Sequence, residues 1–163
     1  GDGLVATARQ CAVVALAAPA ARVLDLFCGA GNLSLPLAHA GASVLGIDRD
    51  REAIADAAGS AATAGLTRVR FETSAADRFL RQQGLAGAEL VVLDPPRSGA
   101  AAVAAQLARL RPPRILYVSC DPATLARDAG TLAAAGYAVE RVQPIDLFPQ
   151  TEHVETVLEA VRR

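Results

Sequence analysis

The sequence predicts an α/β fold with a mostly parallel seven-stranded sheet, helices on both faces and an antiparallel last strand. Apolar runs of strand length alternate with alanine-rich segments of helix length along most of the chain. Such alternation is typical of a parallel sheet that helices cover on both faces. The last two apolar runs are joined by a loop with no room for a helix, whereas a parallel crossover needs about a dozen residues. We therefore expect the last strand to run antiparallel to its neighbour.

The individual elements follow one another without a repeat or a linker. Five apolar runs are predicted as buried strands: residues 22–27, 42–48, 69–73, 90–94 and 114–119. The segments between and after them are predicted as helices: residues 33–40, 51–64, 76–83, 100–110 and 122–135. Two further strands are predicted near residues 138–145 and 153–160, and an N-terminal helix within residues 1–20 leads into this core.

Composition limits the class of protein. The 163 residues are 52% hydrophobic and 20% charged, which is typical of one globular domain and excludes a disordered or fibrous chain. The longest uncharged run is too short to span a bilayer, and no export signal opens the chain, so we expect a cytoplasmic protein. A domain that binds nucleic acid by itself is typically basic, whereas the net charge of this chain is -1.

The three cysteines are widely spaced and odd in number, which suggests neither a disulfide framework nor a zinc site, so we expect no metal. Cys11 and Cys28 are predicted to be packing residues in the interior. Cys120 differs because it directly precedes a predicted helix, with Asp121 as N-cap and Pro122 as the first helical residue. A helix N-terminus favours a thiolate, so Cys120 is a candidate nucleophile.

Polar residues collect where the predicted strands end. Asp48 ends the second strand, Asp94 ends the fourth, and Cys120 follows the fifth. Ligands of open parallel sheets bind in the crevice at this edge. An antiparallel last strand begins at the same edge, so Glu155 is expected to face the crevice too. Burying an ionisable group in an apolar strand costs free energy, so such a group is expected to form an ion pair or to have a catalytic role. Glu155 is therefore a candidate general base.

The turn after the first strand is rich in glycine, which permits a tight turn and close approach of a ligand at Gly29 and Gly31. A turn of this kind can bind a dinucleotide or S-adenosylmethionine. The third glycine of the dinucleotide-binding fingerprint is absent here. Asp48 could accept hydrogen bonds from a ribose diol or, alternatively, cap a helix. Two prolines after Asp94 predict a rigid loop that holds this carboxylate over the sheet edge, the alternative being a solvated turn residue.

Five segments resemble the catalytic domain of the RNA uracil-5-methyltransferases, in the family's order: LDLFCGAGNLSLPLA, GIDRD, LDPPRSG, ILYVSCDPATLARD and FPQTEHVETV. The resemblance implies a Rossmann-like class I methyltransferase fold, S-adenosylmethionine as methyl donor and carbon 5 of a uridine as target. It implies Cys120 as nucleophile and Glu155 as base. It also implies that cofactor-side positions fall on Phe27, Gly29, Gly31, Asn32, Asp48 and Asp94, and substrate-side positions on Asp94 and Arg97.

This chain departs from the family's pattern in two ways. After the third strand many relatives place a polar residue near the adenine, whereas Ala75 stands here, so Ser74 or Asp77 is expected to substitute, and Asp77 is our choice. Family members are longer and carry an N-terminal RNA-binding domain. We therefore expect residues 1–163 to be a catalytic domain from which the RNA-binding parts are absent, acting as a monomer on ribosomal RNA or transfer RNA.

Two alternatives stay open at this point. A class I methyltransferase for another acceptor is one, although amino-group enzymes commonly have an aromatic residue where Arg97 stands, and the Pro-Cys dipeptide of cytosine-5 enzymes is absent. The other is a cofactor-binding or RNA-binding module without catalysis.

Overall fold

The computed structural model describes residues 7–145 and 155–163. Within these residues seven strands form one sheet in the order β3-β2-β1-β4-β5-β7-β6. The strands are β1 (Arg22–Leu26), β2 (Ser43–Asp48), β3 (Val69–Thr73), β4 (Leu90–Leu93), β5 (Arg114–Ser119), β6 (Tyr137–Ile145) and β7 (Glu155–Arg162). The first five are parallel, and β7 runs antiparallel between β5 and β6. This confirms the predicted fold class; that the last strand inserts between its two predecessors is not evident from its sequence.

Helices cover both faces of the sheet. They are α1 (Ala8–Ala17), α2 (Ser34–His39), α3 (Arg51–Thr63), α4 (Ala76–Gln83), α5 (Ala101–Leu110) and α6 (Pro122–Ala134). The first three helices share one apolar core with the sheet and the last three share the other. Among the described residues no helix has both the length and the apolar character needed to cross a membrane.

The central strands β4 and β5 are the most deeply buried part of the sheet. Every residue of β4 is buried, as are five of the six in β5. Their nearly continuous apolar sequence follows from this position, because a central parallel strand packs against helices on both of its faces. The two strands therefore provide a rigid support for Asp94 and Cys120, which follow their last residues.

Candidate active site

The pairing of β5 with β7 brings the candidate nucleophile and the candidate base together. Ser119 at the end of β5 pairs with Thr156 near the start of β7. Cys120 follows Ser119 and Glu155 precedes Thr156, so the two lie one step beyond this pair, at adjoining strand ends. The predicted convergence of Cys120 and Glu155 at one edge of the sheet agrees with this register. Both residues are half-buried.

A cleft of about 510 Å³ opens at the carboxyl ends of the parallel strands. Its walls include four of the predicted cofactor or substrate residues, namely Phe27, Asp48, Asp77 and Asp94. Another cleft, of about 370 Å³, lies at the amino ends of the parallel strands. None of the predicted site residues lines it. The larger cleft is therefore the candidate ligand site, in agreement with the rule for open parallel sheets.

The carboxylate of Asp48 binds the glycine-rich turn to the end of β2. The backbone N–H of Gly29 donates to Oδ2 at 2.9 Å, and that of Asp50 donates to Oδ1 at 2.9 Å. Asp50, not Asp48, caps α3, because its side chain accepts from the backbone of Glu52 and Ala53. A carboxylate has about four acceptor positions, so Asp48 can still accept from a ligand diol.

Gly29, Gly31 and Asn32 are not among the residues that line the cleft in the described structure. Gly31 has φ +90°, and a Cβ there would lie 3.2 Å from Cγ of Leu35. Its role here is to let the turn pack against α2. The side chain of Asn32 is exposed, and its carbonyl oxygen accepts a 2.7 Å hydrogen bond from Nε2 of Gln10.

The two candidates for the polar position after β3, Ser74 and Asp77, differ in their surroundings. The hydroxyl of Ser74 donates to the carbonyl of Ala75 at 2.9 Å, whereas Asp77 is a wall residue of the cleft. Nη1 of Arg81 donates to the Asp77 carboxylate at 2.8 Å. Asp77 therefore remains our choice for the adenine side, and its carboxylate already has Arg81 as one partner.

The loop after Asp94 is held by three side chains of α6, and we call these contacts the α6 clamp. They are Oγ1 of Thr124 to the Arg97 carbonyl at 3.0 Å, Nη2 of Arg127 to the Ser98 carbonyl at 3.0 Å, and the Ala100 N–H to Oδ2 of Asp128 at 2.8 Å. The side chain of Arg97 is exposed on this loop. Since α6 begins directly after Cys120, the clamp ties the Asp94 loop to the helix that follows the candidate nucleophile.

Asp128 is the buried centre of the α6 clamp. It is fully buried, and the hydroxyl of Tyr117 donates to its Oδ2 at 2.5 Å while Nε of Arg127 donates to Oδ1 at 3.0 Å. Burial acts to raise the pKa of Asp128, but the hydrogen bonds from Arg127, Tyr117 and Ala100 outweigh it and hold the pKa below its ordinary value. Asp128 is therefore an ionised structural residue.

Asp25 is a site-adjacent acid that the sequence analysis did not select. It lies fully buried in β1, where the hydroxyl of Ser34 donates to Oδ2 at 2.5 Å. Burial raises the pKa of Asp25 to about 7, although Ser34 and Arg9 act against the rise. The sequence carries a signal for it, because Asp25 is the one charged residue within the otherwise apolar residues 23–27.

Arg9 is a second residue that the sequence analysis missed. Its guanidinium forms ion pairs with Asp94 and with Glu155, where Nε lies 3.3 Å from Oε2. Arg9 is contributed by α1, which lies outside the alternating β/α pattern. A lone arginine near the start of a helix gives no sequence signal of such a contact.

The predictions for the other two cysteines have opposite outcomes. Cys28 is buried, with 6% of its surface exposed, and burial raises the pKa of its thiol, which confirms a packing role. Cys11 is exposed on α1, so the prediction that it is an interior residue is wrong. Within residues 7–145 and 155–163, no three His, Cys, Asp or Glu side chains are grouped to hold a metal ion.

Comparison with solved structures supports the fold. The chain is similar to the Pyrococcus abyssi tRNA (uracil-54, C5)-methyltransferase, solved in complex with S-adenosyl-L-homocysteine, with a TM-score of 0.81 and 31% sequence identity. The match covers 94% of this chain and 38% of that one.

Comparison of sequences identifies the family. The chain is 43% identical over 147 residues to the 23S rRNA (uracil(1939)-C(5))-methyltransferase RlmD of Klebsiella pneumoniae, covering 89% of this chain and 34% of the relative. It is 46% identical over 143 residues to RlmD of Halomonas elongata, covering 86% and 30%. The chain thus spans about a third of the length of these curated relatives. The model of the tRNA (Uracil-5-)-methyltransferase family matches residues 10–162, and the chain therefore belongs to this family.

Proposed function

We propose that this chain is the catalytic domain of an enzyme that transfers a methyl group from S-adenosylmethionine to carbon 5 of a uridine in RNA. The observation that carries the proposal is the placement of Cys120 and Glu155 at adjoining ends of the paired strands β5 and β7. Asp94, at the end of the neighbouring strand, lines the adjacent cleft. A nucleophile, a base and a nucleoside-sized cleft are the three parts that this reaction requires.

The cleft fits S-adenosylmethionine by shape and by donor set. Phe27 and Asp48 are wall residues, and the glycine-rich turn leaves space beside Gly29, where a Cβ would meet no atom within 4 Å. The carboxylate of Asp48 can accept hydrogen bonds from the ribose hydroxyls, and we assign Asp77 to the adenine side. When bound, S-adenosylmethionine supplies an electrophilic methyl group.

The residues of the chain supply the remaining chemistry. The Cys120 thiolate forms a bond to carbon 6 of the uracil, which turns the ring into an enolate whose carbon 5 is nucleophilic toward the methyl group. Once carbon 5 carries the methyl group, Glu155 removes the proton that remains on carbon 5. The electron pair of that C–H bond forms the 5,6 double bond, and the bond from carbon 6 to sulfur breaks to return the thiolate. Arg97 and Asp94 are assigned to contacts with the RNA base.

Ribosomal RNA is the favoured substrate class. The relatives with 43% and 46% identity are named as 23S ribosomal RNA enzymes, whereas the structural neighbour named for transfer RNA is 31% identical. The target base has to leave its stack to reach the sheet edge, as other base-modifying enzymes require. Because the net charge of the chain is only -1, most of the RNA affinity is assigned to regions outside it. We place the enzyme in the cytoplasm and treat it as a monomer.

Product analysis tests the proposal. The protein in its full native length is incubated with S-adenosylmethionine and ribosomal RNA from cells that lack the modification, and digested nucleosides are identified by mass spectrometry. We expect 5-methyluridine from the wild type and none from Cys120→Ala. Methylation at another base or atom, or binding of the cofactor without any methylated product, would contradict the proposal and favour one of the two alternatives above.

A further inference from the structure

Three buried polar atoms without a hydrogen bond mark one place in the described structure. They are Nε of Arg9, Oδ1 of Asp25 and Oε2 of Glu155. Nε and Oε2 face each other at 3.3 Å, and the charge of Arg9 acts on Asp25 as well. Buried polar atoms nearly always have a hydrogen-bond partner, so three that lack one, grouped beside the wall residue Asp94, indicate a functional arrangement.

The start of α1 fixes the backbone of Arg9. Thr7 and Gln10 form a capping box, in which Gln10 N–H donates to the Thr7 hydroxyl at 3.1 Å and Thr7 N–H donates to Oε1 of Gln10 at 2.9 Å. Nε2 of the same Gln10 donates to the carbonyl of Asn32 at 2.7 Å. The helix start, and Arg9 with it, is therefore tied to the glycine-rich turn.

The end of α1 is fixed as well. The guanidinium of Arg114 donates to the carbonyls of Leu16 and Ala17 and pairs with Glu159 at 2.7 Å. Val13 and Ala17 are buried against the sheet. A helix held at both ends can keep Arg9 in contact with Asp94 and Glu155 more accurately than a loop could.

One guanidinium between two carboxylates has a clear electrostatic effect. Arg9 is paired with both Asp94 and Glu155, and the three side chains are 19%, 26% and 21% exposed, so water screens them only in part. Without the cation, the two neighbouring carboxylates would repel each other, and the Glu155 carboxylate would lose the contact that fixes its position.

We propose that Arg9 is a positioning residue that holds the carboxylate of Glu155 beside Asp94, in the place from which it takes the proton of carbon 5. The inference rests on the proposed function, since it gives Arg9 a role in the last chemical step. Arg9 precedes the residues 10–162 that the family model matches. The role is therefore assigned from the contacts of this chain alone.

RNA that contains 5-fluorouracil separates the step at Glu155 from the earlier steps. Fluorine at carbon 5 leaves no proton to remove, so trapping of the covalent adduct reports only addition and methyl transfer. Turnover on ordinary RNA requires the proton removal in addition. Both rates are measured for the full native protein as wild type, Arg9→Gln and Arg9→Lys. Arg22→Gln is the matched control, because Arg22 pairs with Glu89 on the exposed opposite edge of the sheet.

We expect Arg9→Gln to lower turnover about 10- to 100-fold, which is less than the roughly 100- to 10,000-fold contribution of a general base because Glu155 itself remains, while trapping stays within about threefold of wild type. On ordinary RNA the methylated protein–RNA adduct then accumulates. Arg9→Lys restores turnover in part, because an ammonium pairs with one carboxylate at a time. If Arg9→Gln does not fold, Arg9→Lys provides the test. We then expect its turnover to fall more than its trapping, by a smaller factor than that given for Arg9→Gln.

An equal loss of trapping and turnover would overturn the inference, because Arg9 would then act on RNA binding, cofactor binding or folding. Unchanged turnover in Arg9→Gln would overturn it too. Failure of the proposed function looks different: the wild type itself would give neither adduct nor product.

Discussion

The backbone N–H of Ala100 donates a 2.8 Å hydrogen bond to Oδ2 of Asp128, which joins the loop after Asp94 to the helix after Cys120. These residues belong to LDPPRSG and SCDPATLARD, or lie directly beside them, and these are two of the segments that carry the family resemblance. Some residues of these two motifs therefore serve to hold the two segments together. The α6 clamp gives a structural role to motif residues that the reaction itself does not require.

Gly99 is required by this contact. It has φ +77°, and a Cβ there would lie 2.6 Å from Nη2 of Arg127 and 2.9 Å from Oδ2 of Asp128. We expect Gly99→Ala to lower the free energy of unfolding by about 2–3 kcal/mol, through strain at positive φ and disruption of the α6 clamp. Urea denaturation measures it.

Gly130→Ala is the matched control, because Gly130 lies on α6 and a Cβ there meets nothing within 4 Å. Alanine in a helix is favoured over glycine by up to about 1 kcal/mol, so this variant is expected to be as stable as wild type or more stable. Equal effects of the two substitutions would contradict the role assigned to Gly99.

Asp25 makes the stability of the fold depend on pH. Its pKa is raised from 3.8 to about 7 in the folded protein, mainly by burial. Between these values the folded protein holds a proton that the unfolded chain has released, so this contribution to stability is complete below about pH 4 and is lost as the pH rises to about 7. The loss amounts to at most about 4 kcal/mol.

Asp25→Asn removes this titration while keeping the shape of the side chain. We expect the difference in unfolding free energy between variant and wild type to move in favour of the variant as the pH rises from about 5 to about 8. Urea denaturation series at several pH values give this difference directly. A difference that is constant with pH would show that Asp25 is already ionised at low pH in the folded protein.

Asp48 and Asp50 offer a pair of nearby acids with separate roles. Asp48 binds the glycine-rich turn and lines the cleft, whereas Asp50 caps α3. We expect Asp48→Asn to weaken S-adenosylmethionine binding about 10- to 100-fold, as for loss of hydrogen bonds to a charged group. We expect Asp50→Ala to lower stability by about 1 kcal/mol with little change in affinity.

Isothermal titration calorimetry and thermal unfolding of both variants separate the two effects. Loss of cofactor affinity in Asp50→Ala but not in Asp48→Asn would reverse these assignments.

The sheet and its functional edge follow from the sequence because they depend on local periodicity and on strand ends. Asp48, Asp94, Cys120 and Glu155 could be selected since each interrupts or ends an apolar run. The roles of Arg9 and Asp128 depend on contacts between distant elements, which no local pattern encodes. The exposure of Cys11 could not be predicted either, because residue type alone does not reveal which face of α1 is exposed.

The central claim is that Cys120 forms a covalent adduct with a uracil. Wild type, Cys120→Ala and the exposed-thiol control Cys11→Ser, each in the full native length of the protein, are incubated with S-adenosylmethionine and 5-fluorouracil-containing RNA, then separated on a denaturing gel. We predict a shifted protein–RNA band for wild type and Cys11→Ser and none for Cys120→Ala. A band that persists in Cys120→Ala, or no band in the wild type although it binds the cofactor, would contradict the account.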